Sequence, residues 1–252
     1  MQGLAGKSII VTGGASGIGG AVSELLGEAG CRVTIADLNP VAGNAIVAKI
    51  EKAGGTACFI RTDVSSEADV MAMVDSAVAT YGRLDGACNA AGVAQRGKLM
   101  HEVSLDEWDR CHGVNLRGLF LCNKYEVTAM LDTGGGSIVN IASTAAMVGF
   151  PNGSEYCASK AGVMGLVRGG AIDYATRGIR INAVLPGGTL TPRLGAGMAN
   201  DRGLEPGLAA VHPMSRFGQP GEIGAAVRWL LSDEASFVTG TSFAVDGGHT
   251  CI

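Results

Sequence analysis

Strand-like and helix-like segments alternate along this chain from end to end, and that alternation restricts its fold more than any other feature. Short apolar runs read as strands at 7–12, 31–36, 56–62, 84–88, 136–142, 179–185 and 242–245, and longer amphipathic stretches fill the gaps. A strand that is followed by a helix re-enters the sheet parallel to itself. The pattern therefore predicts an α/β fold, a doubly wound parallel sheet with helices on both faces. Composition permits one large domain over 1–252: 47% of the 252 residues are hydrophobic, 17% are charged, and 40 glycines suit many tight strand–helix junctions. No Pro/Ser linker or charge run divides the chain.

In such sheets ligands bind beyond the carboxyl ends of the strands, so Gly13, Asp37, Asp63, Asn89, Ser143 and Pro186 are expected to converge on one site. The strand at 7–12 runs into Gly13-Gly14-Ala15-Ser16-Gly17-Ile18-Gly19-Gly20. Positions without side chains let the backbone approach a pyrophosphate, and the N–H groups opening the next helix attract its charge. The spacing Gly-x-x-x-Gly-x-Gly departs from the Gly-x-Gly-x-x-Gly fingerprint and from the lysine-bearing phosphate loop, so a ligand-free tight turn is the alternative. The second strand ends in Asp37, which can accept hydrogen bonds from two ribose hydroxyls and repels a 2′-phosphate. An arginine for that phosphate is expected near 15 or just after 37, where Ala15, Leu38 and Asn39 stand. The cofactor expected is NAD. For Asp63 the alternative is a helix N-cap, although Ser65 or Ser66 could cap equally well.

Tyr156 and Lys160 are four residues apart and share one face of a helix. A phenol titrates near ~10, so acid/base work at neutral pH requires a drop of roughly 3 units, or about 4 kcal/mol. One ammonium ~4 Å away supplies about that much at an effective dielectric of ~20. Thirteen residues upstream, Ser143 ends the strand at 136–142, where its hydroxyl can steady charge on a reacting oxygen.

Thr12-Gly-x-x-x-Gly-x-Gly19, Asn89-Ala90-Ala91-Gly92, Asn115, Ser143, Tyr156-x-x-x-Lys160 and Pro186-Gly187 resemble, in order, the motifs of the short-chain dehydrogenases/reductases, whose fold is the Rossmann sheet. The resemblance covers essentially the whole chain and extends to Arg216-Phe217-Gly218-Gln219-Pro220-Gly221-Glu222 and Val245-Asp246-Gly247-Gly248. It departs at Ala90, often asparagine in the family, and at Gly221, usually acidic, which should weaken a helix cap. The resemblance implies a catalytic set of Asn115, Ser143, Tyr156 and Lys160. It implies that Lys160 also holds the nicotinamide ribose and that Asn115, inside an apolar helix over 108–130, holds a water for proton relay or serves a helix kink. The implied cofactor contacts are Gly13, Ser16, Gly17, Gly19 and the backbone of Ile18 at the pyrophosphate. Asp37 and Leu38 lie at the ribose, Asp63 and Val64 at the adenine edge, and Asn89, Ala90 and Gly92 by the ribose region. Pro186, Gly187, Thr189 and Thr191 would clamp the carboxamide, with hydride expected on the pro-S face. The helices around 116–130 and 156–175 and the segment 240–252 resemble the contact surfaces of family homotetramers.

A net charge of −4 with scattered basic residues argues against nucleic acid as partner. Seven cysteines without Cys-x-x-Cys fit reduced thiols, no apolar run approaches ~18 residues, and no signal segment is evident, so a soluble cytoplasmic protein without membrane partner is expected. His101, His112, His212 and His249 form no metal-like cluster, and exposure to solvent is the expected state of His212. Breakers interleaved with Leu and Met at 190–214 suggest a mobile lid. Around the expected pocket Val93, Ala94, Ala145, Met147 and Phe150 are neutral, and the charged candidates are Arg96, Glu155, Arg193 and His212. The substrate expected is a small neutral secondary alcohol or ketone. The alternatives are polyols, acyl thioesters, sugar-nucleotide epimerisation, or a non-catalytic NAD-binding sensor.

Overall fold

The structure, a computed structural model, describes all residues except Arg96, Arg193, 196–208 and Ile252. The strands are β1 (Ser8–Thr12), β2 (Arg32–Asp37), β3 (Thr56–Arg61), β4 (Gly86–Asn89), β5 (Gly136–Ile141), β6 (Ile179–Pro186) and β7 (Ser242–Val245). They form one parallel sheet in the order β3-β2-β1-β4-β5-β6-β7. The helices are α1 (Gly17–Glu28), α2 (Pro40–Lys52), α3 (Glu67–Tyr81), α4 (Leu105–His112), α5 (Leu119–Asp132), α6 (Ser154–Tyr174) and α7 (Pro220–Leu231). Because both faces of the sheet are covered, β1 and β4 are buried at every residue, and their sequences read as continuous small or apolar runs rather than alternating ones. Val22 and Leu26 of α1 and Ile223, Val227 and Leu230 of α7 pack on one face; Val70 and Met73 of α3, Val127 of α5 and Val163 and Val167 of α6 pack on the other. Strand order reverses between β1 and β4, so the loops after them splay apart and leave a crevice at the carboxyl edge.

The helix read at 108–130 is interrupted: α4 and α5 are joined by a π-helical turn, Gly113–Gly118. Within it the fully buried Asn115 accepts from the Val93 N–H (2.8 Å) and donates to the Val93 carbonyl (3.0 Å), tying the bulge to the loop after β4. The N-cap of α3 is Ser66, whose hydroxyl accepts from the Asp69 N–H, so Asp63 is not the cap. Gly221 does not leave α7 open, because the Gln219 N–H donates to Glu222 Oε2 (2.8 Å).

Asn89 does not face the crevice. It is 2% exposed and donates to Glu126 Oε2 (2.9 Å) and Asn140 Oδ1 (3.1 Å), and Asn140 and Asn123 exchange amide hydrogen bonds beside it. This network joins β4, β5 and α5 through polar groups that the apolar core could not otherwise tolerate. Glu126 Oε1 has no hydrogen-bond partner among the described residues, and burial pushes the Glu126 carboxyl up to about 7. A carboxyl with a raised folded pKa is held protonated by the folded state, so its contribution is complete below the unfolded value of 4.5 and is lost as pH rises through about 7. That loss is on the order of 3 kcal/mol. Melting temperature should fall between pH 5 and 8 in wild type and stay nearly level in Glu126→Gln; parallel pH profiles of the two proteins would refute this.

Candidate active site

The crevice opens into a cavity of about 1120 Å³. At one end β1 delivers the glycine loop. Gly13 has φ +65°, and a Cβ there would meet the Ala91 backbone at 2.9 Å, so the loop can pass under the 90–92 segment only without a side chain. Likewise, a Cβ at Gly19 would strike the carbonyl of Gly13. The N-cap of α1, Ser16, makes no side-chain capping bond, and no acidic residue stands in the first turn, so the helix presents uncompensated N–H groups at the cavity. These features fit an anionic pyrophosphate. Asp37 lines the cavity beside the loop, its Oδ1 accepting from the Asn39 N–H (3.0 Å) and its Oδ2 from the Ala15 N–H (3.2 Å). It is thereby aimed at the loop rather than at solvent. Asp63 closes a turn with Ser65 at the adjoining wall.

At the other end α6 carries Tyr156 and Lys160 on one face, with the Lys160 Nζ 5.8 Å from the centre of the Tyr156 ring. Lys160 is 5% exposed and donates to the Ile141 carbonyl (2.8 Å), the last residue of β5. That same strand end presents Ser143, whose Oγ accepts from the Ala145 N–H (3.2 Å) and caps a short 3-10 turn. Ser143 thus both caps the turn and lines the cavity. Accepting from Ala145 leaves the O–H proton for another partner.

Of the sequence-derived positions, the cavity is lined by Gly13, Ser16, Gly17, Ile18, Gly19, Asp37, Leu38, Asp63, Val64, Ala90, Gly92, Ser143, Tyr156, Lys160, Pro186, Gly187, Thr189 and Thr191. Asn89 and Asn115 lie behind it, their amides spent on the core network and on Val93. Glu155 is 1% exposed and does not line the cavity; Arg96, Arg193 and the larger part of the 190–214 lid fall outside the described residues. His212 is not exposed: at 3% it lines the cavity, its Nε2 accepting from the Gly188 N–H (2.9 Å). Sequence reasoning missed Gln95, Arg110, Asn152 and His249 on the same walls. Only Asn152, before Gly153 in a breaker cluster, carried a local signal, and it adopts φ +55°. The cysteines are all free, and burial raises the thiol pKa of Cys88 and Cys122. Among the described residues no group could hold a metal ion and no helix is long and apolar enough to cross a membrane.

Comparison with known proteins agrees with this geometry. A family model described as Enoyl-(Acyl carrier protein) reductase matches residues 13–250. The chain is 49% identical over 253 residues, all of both chains, to a 2,5-dichloro-2,5-cyclohexadiene-1,4-diol dehydrogenase of Sphingobium indicum. It is 41% identical to a cyclohexanol dehydrogenase of an Acinetobacter species, across 97% of this chain and 95% of that one. Among solved structures, levodione reductase superposes with a TM-score of 0.94 at 33% identity, covering 98% of both chains.

Proposed function

Because the chain belongs to the short-chain dehydrogenase/reductase family, we propose that it moves a hydride between NAD(H) and a small neutral secondary alcohol or its ketone, cyclic or aryl-alkyl rather than a sugar. The observation that carries the reading is the shared cavity, in which Ser143 and the Tyr156–Lys160 pair stand at one end and the uncapped glycine loop and Asp37 at the other. NAD, when bound, supplies the nicotinamide C4 that accepts the hydride. Tyr156, as phenolate, takes the alcohol proton, and in reduction returns it. Ser143 donates its O–H to the substrate oxygen and steadies the charge that develops there. Lys160, anchored on Ile141, keeps a positive charge beside the phenol, which favours the phenolate, and holds the ribose hydroxyls. Pro186, Gly187, Thr189 and Thr191 face the carboxamide side. Asn115 is a positioning residue, holding the loop after β4 against Lys160 through Val93. Asn89 serves the same loop through the core network.

Substrate class follows from the walls. The charged residues lining the described cavity are Asp37, Asp63, Arg110 and Lys160, and the first two belong to the adenosine end. Among the described lining residues Arg110 alone remains beyond the catalytic lysine, whereas Val93, Ala94, Ala145, Phe150 and Leu194 suit an apolar ring. Two relatives are named for alcohols on six-membered rings, which supports the same choice. We also read the protein as a cytoplasmic homotetramer: its thiols are free, and Trp108, Phe120 and Ile172 expose apolar surface on helices α4 to α6. Incubation with NAD and a panel of alcohols should raise the reduced-nicotinamide absorbance with cyclohexanol-like substrates, and the active species should sediment as four chains. Turnover confined to polyols or acyl thioesters would refute the substrate class, and an active monomer the assembly.

A further inference from the structure

The loop after β6 contains consecutive glycines, Gly187 and Gly188, and a diglycine has more backbone freedom than any other dipeptide. Four hydrogen bonds restrain it: the Gly187 N–H donates to the Val245 carbonyl (3.1 Å), the Gly187 carbonyl accepts from Thr189 Oγ1 (3.0 Å), and two more act on Gly188. Gly218 donates to the Gly188 carbonyl (2.9 Å), and the Gly188 N–H donates to His212 Nε2 (2.9 Å). To accept, Nε2 must carry its lone pair, so the neutral ring carries its proton on Nδ1. The ring is also a wedge: a Cβ on Gly187 would lie 2.8 Å from Nε2, and one on Gly188 3.0 Å from Cε1. His212 is seated by the Phe217 ring (6.2 Å, edge-on) and the His249 ring (5.2 Å). The next residues are tied to the C-terminal loop by the Met214 N–H to the Gly247 carbonyl (3.1 Å).

From this juxtaposition we infer that His212 is a positioning residue: its Nε2 fixes the Gly187–Gly188 peptide and so sets the loop against which the reacting ring of the cofactor lies. The inference rests on the proposed nicotinamide function of that loop. Without an acceptor at 212 the Gly188 N–H loses its partner at the cavity wall, and the loop samples orientations that misplace the ring relative to Tyr156.

The test uses His212→Leu, which keeps bulk and loses the acceptor, and His212→Gln, whose carbonyl can accept again. Amide hydrogen exchange of the cofactor-free protein should show Gly188 exchanging about tenfold faster or more in the Leu variant and close to wild type in the Gln variant, since the Leu side chain offers the Gly188 N–H no acceptor. With NAD and a carbon-deuterated alcohol, the Leu variant should lose about tenfold in kcat and show a larger isotope effect, and Gln should recover most of both. Unchanged Gly188 exchange in His212→Leu overturns the inference, as do equal losses in the two variants, which would mark a packing role. A wild type that binds no NAD overturns the functional reading and the positioning role with it. Normal NAD binding with three identical isotope effects overturns the positioning role alone.

Discussion

Tyr156→Phe is expected to lower turnover by about 10²–10⁴-fold, the usual contribution of a general acid/base, while NAD binding and melting temperature stay near wild type. The argument is local. Tyr156 sits in the first turns of α6, and the substitution removes one oxygen and leaves the ring that stands 5.8 Å from the Lys160 ammonium. Lys160 keeps its bond to Ile141, and Ser143 keeps its bond from Ala145, so the rest of the site holds its shape. On the proposed function, dinucleotide affinity would come chiefly from the glycine loop and Asp37, which line the same cavity and which the change does not touch. A variant retaining more than about a tenth of wild-type kcat, measured by the absorbance of reduced nicotinamide under saturating substrate, would show that another group moves the proton.

The second large effect concerns the choice between NAD and NADP. Wild type should prefer NAD by roughly 5- to 10³-fold in kcat/KM, because a 2′-phosphate would be brought against the Asp37 carboxylate, a repulsion of about 1–4 kcal/mol. Asp37→Ser with Leu38→Arg replaces that repulsion by attraction and should reverse the preference. The double variant should also bind NAD less tightly, since Asp37 braces the glycine loop through the Ala15 N–H (3.2 Å) in addition to its proposed role at the ribose. Competition binding of the two dinucleotides to both proteins reads this without substrate. Equal kcat/KM with NAD and NADP in the unmodified protein would refute the role assigned to Asp37.

Family and fold were legible because each rests on local chemistry. A strand, a glycine turn and a helix are decided within about twenty residues, and the alternation of such units leaves a parallel sheet as the way to bury both faces of every strand. Strand positions accordingly agree within a residue or two: the run at 242–245 is β7, and the run at 84–88 is shifted to Gly86–Asn89. The i, i+4 pair Tyr156–Lys160 needed only a helix to bring it together.

What the sequence could not decide is where amides and rings point once elements meet. Asn89 ends a strand like Asp37, yet it turns inward, donating to Glu126 and Asn140, 37 and 51 residues away, inside the core. Asn115 sits in what reads as plain helix, yet it lies in a π turn and pairs with both backbone groups of Val93, which is 22 residues away. His212 looks like a lone polar residue in a loop until the diglycine after β6 brings the Gly188 N–H to its Nε2. The sequence by itself determined the order of strands and helices, the glycine turn that opens α1 and the pairing of Tyr156 with Lys160, all set by spacings of a few residues. Tertiary structure decided which polar side chains face the cavity and which are spent in holding it, because buried hydrogen-bond partners are chosen across dozens of residues and leave no periodic trace in the chain.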